Sequence, residues 1–257
     1  MRKINTSIKD YKIYNSGMKK SIKDKLFFEG LIDDSIDTFV DFGCADGQIL
    51  AQVHNDFPEW KLKGIDNDYM MIELAKRNCK AAEFFEKITD IANNNTSLLN
   101  LSSVIHEVYS YSSSNTIEEF WSNVFNGGFK YISIRDLMSS YAINAEAEIN
   151  DILKLQKRTN SKQLSDFISV WGNISTRRNL VHYLLKYSYV ENWERELREN
   201  YLPITVECFL NMIPDTYEII YFNHYILPFT KDRIKKDFDI DLRDNTHVKI
   251  LLKRKQI

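Results

Sequence analysis

The sequence has no excess of either charge: 34 lysines and arginines stand against 36 aspartates and glutamates, a net charge of −2. A general nucleic-acid binder is normally clearly basic, so this balance argues against one while leaving room for a local basic face. Cysteine is scarce as well. Cys44, Cys79 and Cys208 form an odd set without metal-ligand spacing. Neither a disulfide framework nor a metal site is expected, and the expected home is a reducing, cytoplasmic compartment. No stretch approaches about eighteen apolar residues and no signal-peptide core stands at the N-terminus, so no membrane role is expected. At 257 residues the chain suits a single α/β domain, 1–257, with an insertion.

What is present is organised around Asp37–Leu50. Phe39, Val40 and Phe42 form a short apolar run without polar alternation, as in a strand buried on both faces. Gly43 and Gly47 punctuate the turn that follows and let a ligand approach the main chain. Gln48–Phe57 then reads as a helix, with unpaired N–H groups at its start. About twenty residues further on, a second apolar run ends in an acid, Asp66, and this is the layout of a nucleoside-binding α/β unit.

A dinucleotide fold would want G-x-G-x-x-G, with pyrophosphate on the helix N-terminus; that pattern is missing. The actual pattern, Asp41-x-Gly43-x-x-x-Gly47, resembles motif I of the class I S-adenosylmethionine-dependent methyltransferases. A carboxylate beside the turn suits a ligand carrying an ammonium and a sulfonium, and would repel a pyrophosphate. Ala45 stands where that family usually has a second glycine, and costs little if its φ is negative.

The resemblance implies an α/β fold: a Rossmann-like, seven-stranded, mostly parallel sheet with an antiparallel last strand; the surplus length after strand five, much of it at helical spacing, adds a helical insertion there. The resemblance also implies S-adenosyl-L-methionine as cofactor, bound by Asp41, Gly43, Cys44, Ala45 and Gly47 in the turn and by Asp66 and Asn67 after the second strand. Thr89, Asp90 and Ile91 after the third strand and Ser102 after the fourth complete the set. Asp66 would take the ribose hydroxyls through charge-assisted bonds. Asp90 would take the adenine amine, or else cap a helix. Asp68 is placed to cap the helix Tyr69–Lys80, with Met70 and Leu74 packing inward.

The acceptor side is less sharply marked. Residues 1–31 are expected to be an N-terminal helical segment, amphipathic over 18–31, that either brings Tyr14, Met18 or Lys19 to the ligand or merely covers a sheet edge. The stretch Ser102-Ser103-Val104-Ile105-His106-Glu107 resembles motif IV. It lacks the D/N/S-P-P-Y/F form of the amino-directed DNA enzymes and looks more like small-molecule methyltransferases. His106 and Glu107 are therefore the catalytic candidates, with His106 either a general base or a structural residue in a reaction that needs only in-line placement. Tyr109 and Tyr111 are candidates for holding the acceptor. Arg135, with Asp136, ends the fifth strand, and the two either touch the acceptor or pair with each other.

Residues 139–202 are expected to be a helical insertion acting as a lid, with helices Asn144–Arg158, Leu164–Val170 and Thr176–Tyr189. Its basic and aromatic residues, among them Arg177, Arg178, His182, Tyr183 and Lys186, also suit a phosphate or a single-stranded base. Pro203–Met212 is expected to be a further helix. Methyl transfer to an oxygen or nitrogen of a small molecule is the favoured function, RNA methylation the first alternative, and a non-catalytic cofactor- or partner-binding module the second. No DNA partner is expected, and the oligomeric state is open.

Overall fold

The computed structural model describes residues 22–91 and 94–255. Seven strands form one sheet: β1 (Thr38–Phe42), β2 (Lys61–Ile65), β3 (Ala82–Phe85), β4 (Ser97–Ser102), β5 (Tyr131–Leu137), β6 (Tyr217–Tyr225) and β7 (His247–Arg254). Their spatial order is β3-β2-β1-β4-β5-β7-β6. The first five strands are parallel, and β7 runs antiparallel to both β5 and β6. β1 lies between β2 and β4, with Asp41 opposite Gly64 on one side and Asn100 on the other. The strand order reverses between β1 and β4, and ligands of open α/β sheets bind at the carboxyl ends of the strands at such a point.

The chain divides into two compact units, each with its own apolar core. The first comprises Met1–Asp136, Ile213–Asn223 and Lys249–Ile257. Its core takes in Phe28, Phe39, Leu50, Leu98 and Leu251, with the Phe28 and Phe39 rings stacked 5.7 Å apart. β1 and β4 are buried along nearly their whole length, which explains their unbroken apolar sequence.

The helices of this unit are α1 (Gln48–Asp56), α2 (Tyr69–Asn78), α3 (Ile105–Tyr111) and α4 (Ser114–Asn126). Asp68 caps α2, its Oδ1 accepting the Met70 N–H at 2.8 Å, as its place in the sequence predicts. Met70 is not inward-facing, however: it is 57% exposed, and the residue α2 buries is Ala75. The small Ala75 side chain and backbone lie against Gly47, so the close approach of the turn sets which face of α2 is inside. Ser113 caps α4, its Oγ accepting the Thr116 N–H at 3.3 Å.

Of the expected N-terminal helix, 22–25 are helical, followed by a turn in which Gly30 has φ 79°. Tyr14, Met18 and Lys19 lie outside the described residues.

The second unit comprises Leu137–Met212 and His224–Val248, so it contains 139–202 together with the segment that joins β6 to β7. Its helices are α5 (Ile149–Arg158), α6 (Ser161–Trp171), α7 (Arg177–Lys186), the short α8 (Trp193–Glu196), α9 (Val206–Met212) and α10 (Pro228–Phe238). α9 starts three residues after Pro203, which lies outside the helix. α7 is the central element of this core: all seven residues from Leu180 to Lys186 are buried. Around it pack Leu155, Phe167, Ile234 and Phe238.

Candidate active site

After β1 the backbone turns through Gly43 (φ 75°), Ala45 (φ 45°) and Gly47 (φ 76°). The turn is tied to the end of β2: the N–H groups of Gly43 and Cys44 both donate to the Ile65 carbonyl, at 2.8 and 3.0 Å. Ala45 does not have the negative φ that would make it inexpensive. It sits in the left-handed region, which costs an L-residue roughly 1–2 kcal/mol. In that conformation its N–H donates to Asp66 Oδ2 at 2.9 Å, and the other carboxylate oxygen, Oδ1, accepts the Asp68 N–H at 2.9 Å. Turn and acid thus form one hydrogen-bonded unit, although 21 positions separate Ala45 from Asp66. Burial raises the Asp66 carboxyl above its ordinary range, while these backbone donors pull it back.

A methyl group at Gly43 would come within 2.5 Å of Val104 Cγ2. Gly43→Ala therefore combines a left-handed alanine with an overpacked contact, and is expected to cost on the order of 2–4 kcal/mol of stability in denaturant melts.

Asp41 lies beneath the turn, 1% exposed. Its Oδ1 accepts from Asn100 Nδ2 at 2.8 Å, and Oδ2 has no hydrogen-bond partner among the described residues. Burial pushes its carboxyl up from 3.8 to about 7, against the opposing Asn100 bond and the Lys25 charge. Lys25 is itself buried and lowered to about 8, chiefly by desolvation, in the field of Arg135, Asp41, Asp136 and Glu107.

The consequence for stability has a definite sign. Between pH 3.8 and 7 the folded state keeps a proton on Asp41 that the unfolded state has lost. The contribution is therefore complete below pH 3.8 and lost as the pH rises through about 7. Wild type is expected to lose on the order of 2–4 kcal/mol across that window relative to Asp41→Asn, in urea melts run at a series of pH values.

On the other side of the turn, α3 brings His106 to the carboxyl end of β5. His106 Nδ1 is 2.7 Å from Asp136 Oδ1. The second oxygen of that carboxylate accepts the N–H groups of Val104 and Ile105, at 2.8 and 2.7 Å. Asp136 is fully buried and His106 nearly so. One carboxylate therefore caps α3 and orients its histidine. Asp136 does not serve as the partner of Arg135 that the sequence suggests. Arg135 instead pairs with Asp24 at 2.8 Å and donates to Ser103 Oγ at 3.3 Å. No local signal marks Asp136 as the orienting group, because the two residues lie 30 positions apart.

Glu107 follows His106 in the first turn of α3 and is half-buried. Tyr109 accepts from Trp121 Nε1 at 3.0 Å, and Tyr111 ends α3 half-buried. The Ser102 hydroxyl is buried without a hydrogen-bond partner among the described residues. Asn67 is exposed next to Asp66. Ile91 is buried, whereas Thr89 and Asp90 are exposed in a single 3-10 turn, Ile88–Asp90. Asp90 ends that turn, so it does not cap a helix. Cys44 is buried, and its thiol is pushed well up by desolvation, so it is no nucleophile. Among the described residues no cluster of His, Cys, Asp or Glu could hold a metal ion, and no helix is long and apolar enough to cross a membrane.

Strand order, antiparallel closing strand, glycine turn and acid after β2 together define the class I methyltransferase fold. Solved structures with this fold resemble the chain along nearly its whole length. The plantazolicin methyltransferase BamL, solved with a triazolic desmethylPZN analog and SAH, superposes with a TM-score of 0.54 at 12% identity, over 96% of this chain and 91% of its own. The methyltransferase domain of bacterial CtHen1-C gives 0.51 at 11% identity, over 93% and 99%. The plantazolicin methyltransferase BpumL, with the same analog and SAH, gives 0.51 at 12% identity, over 97% and 92%. No protein-family model and no curated protein sequence matches the chain.

Proposed function

We propose that the chain is an S-adenosylmethionine-dependent methyltransferase acting on an oxygen or nitrogen of a small-molecule acceptor. The observation that carries this reading is the unit formed by the glycine turn and Asp66, with the Asp41 carboxylate buried beside it. Two carboxylates at one glycine-lined turn fit a nucleoside that carries positive charge in place of phosphate. The SAH bound to BamL and BpumL supports the same cofactor. When bound, S-adenosylmethionine supplies an electrophilic methyl whose C–S bond breaks as the bond to the acceptor forms, leaving S-adenosylhomocysteine.

In this reading the chain's own residues divide the work. Gly43, Cys44, Ala45 and Gly47 offer the backbone of the turn. Asp66, helped by Asn67, takes the ribose hydroxyls, and Asp41 faces the ammonium. Ile91 and Ser102 line the base and the methionine arm, and Asp90 and Thr89 reach the adenine edge. His106 carries a proton on Nδ1, where Asp136 accepts it, so Nε2 presents a lone pair able to take a proton from the acceptor. Glu107, next to His106, is the second catalytic candidate; Tyr109 and Tyr111 are assigned to acceptor binding, Arg135 to holding Asp24 and Ser103 beside the site, and 139–202 to acceptor choice.

The RNA alternative rests on the basic and aromatic residues of α7 and its neighbours, and three of those in α7 are enclosed. Tyr183 and Lys186 are fully buried and His182 is 2% exposed. Lys186 donates to the carbonyls of Glu196 and Glu199 and lies over the rings of Trp171 and Tyr201. His182 Nε2 accepts the Tyr201 N–H at 3.1 Å, and desolvation keeps the ring neutral. Arg177 is paired with Asp244 at 2.6 Å. Such residues hold the second unit together and leave little for a phosphate backbone. The small acceptor is further favoured by the desmethylPZN analog bound to BamL. Transfer of labelled methyl to a metabolite or peptide pool, with none to RNA, is the expected result. Cofactor binding without transfer to any pool would instead favour a non-catalytic module.

A further inference from the structure

β6 is the last strand of the sheet, so one row of its N–H and C=O groups has no strand partner among the described residues. Proteins usually blunt such an edge with proline, lysine, a bulge or a very short strand. β6 has no proline and no lysine, and it is not short. It is nine residues long, carries no proline or glycine, and has Glu218 as its one formal charge. It also displays apolar surface: Ile219 and Phe222 are each 44% exposed and Ile220 is 39% exposed. Tyr221, pointing to the same face as Ile219, packs on Phe27 at 5.5 Å.

The order of residues along the strand indicates what pairs with it. Tyr217-Glu218-Ile219-Ile220-Tyr221-Phe222-Asn223-His224-Tyr225 is close to a chemical palindrome about Tyr221. Laid antiparallel on a copy of itself with Tyr221 opposite Tyr221, Ile220 faces Phe222 and Glu218 faces His224. Tyr217 then faces Tyr225, and Ile219 opposite Asn223 is the one mismatched pair. Opposed aromatic–apolar and acid–base pairs are the cross-strand units that stabilise sheets. Sliding the register by one pair either way sets Glu218 against Phe222, or Ile220 against His224. The matched register is therefore the favoured one.

We infer that β6 is a self-association surface through which two copies of the chain join antiparallel, Tyr221 opposite Tyr221, into one continuous sheet. The contact is isologous, so each residue of the patch is used twice and the assembly closes at two. It is independent of the reaction proposed above, and its failure would leave that reading intact.

Sedimentation velocity on the full chain is expected to show a concentration-dependent dimer. Ile220→Lys and Phe222→Lys should each weaken it at least about tenfold, because each places two unmatched charges in the interface. Their circular dichroism should be unchanged. The register is tested in a Cys208→Ser background, since Cys208 is exposed. Tyr221→Cys should be joined to its copy by a short thiol-specific cross-linker, whereas Ile219→Cys, about 13 Å from its copy in this register, should not. A monomer at every concentration would overturn the proposal. So would a dimer indifferent to both lysine variants, or cross-linking at position 219 in place of 221.

Discussion

Asp66→Ala is expected to weaken S-adenosylmethionine binding by about 1.5–3 kcal/mol, the usual worth of hydrogen bonds to a charged group. That is roughly a ten- to hundredfold rise in Kd. The same carboxylate also holds the backbone of Ala45 and Asp68. Removing it releases a left-handed alanine whose conformation is secured partly by that bond, so the alanine variant should melt earlier as well. Asp66→Asn separates the two effects. Its side-chain carbonyl keeps an acceptor for one of the two N–H groups, which preserves more of the turn, while the charge that favours ribose hydroxyls is lost. Affinity reduced in both variants, with stability reduced mainly in the alanine, is the expected pattern in calorimetry and thermal melts. Full affinity in Asp66→Ala would remove the ribose assignment.

Asp136→Asn is expected to lower kcat by on the order of a hundredfold or more, the usual scale for general acid–base catalysis, with little change in KM. The asparagine carbonyl can still accept the N–H groups of Val104 and Ile105, so α3 keeps its cap. Its amide nitrogen would then face His106 Nδ1, which must become an acceptor. The ring is pushed into the other tautomer and Nε2 no longer offers a lone pair. Nitrogen-15 shifts of His106 report the tautomer directly and owe nothing to activity. If the tautomer changes and turnover does not, His106 is not the base, and transfer rests on placement of the acceptor alone. Asp136→Ala is the less informative variant: it would leave two buried N–H groups without an acceptor, at about 1–3 kcal/mol each.

The part of the site legible in the sequence is the part built from neighbours in sequence. Strand, turn, helix and following acid lie within 38–66, and each is specified by local patterning: an apolar run, two glycines, a second run ending in Asp66. The cap at Asp68 is equally local. What stayed hidden depends on residues brought together across the sheet. Asp136 reaches His106 only because β5 lies beside β4, and the Lys25 charge acts on Asp41 only once the fold has buried both. The positive φ of Ala45 was hidden too, because alanine carries no left-handed signature and Asp66, 21 positions away, helps to hold it there. The burial of the basic and aromatic residues of α7 is equally hidden in the sequence. Composition cannot distinguish a lysine that faces solvent from one enclosed by two rings and two carbonyls, as Lys186 is.

In the proposed reading the turn after β1 and Asp66 form the seat of a cationic nucleoside cofactor. Isothermal titration of the full chain with S-adenosylmethionine and S-adenosylhomocysteine tests it most directly. Micromolar, one-to-one binding of both ligands is expected, weakened in Asp66→Ala and tightening for S-adenosylmethionine as the pH rises through about 7, where Asp41 ionises. No binding of either ligand by the wild-type chain, or binding that Asp66→Ala leaves unchanged, would contradict it.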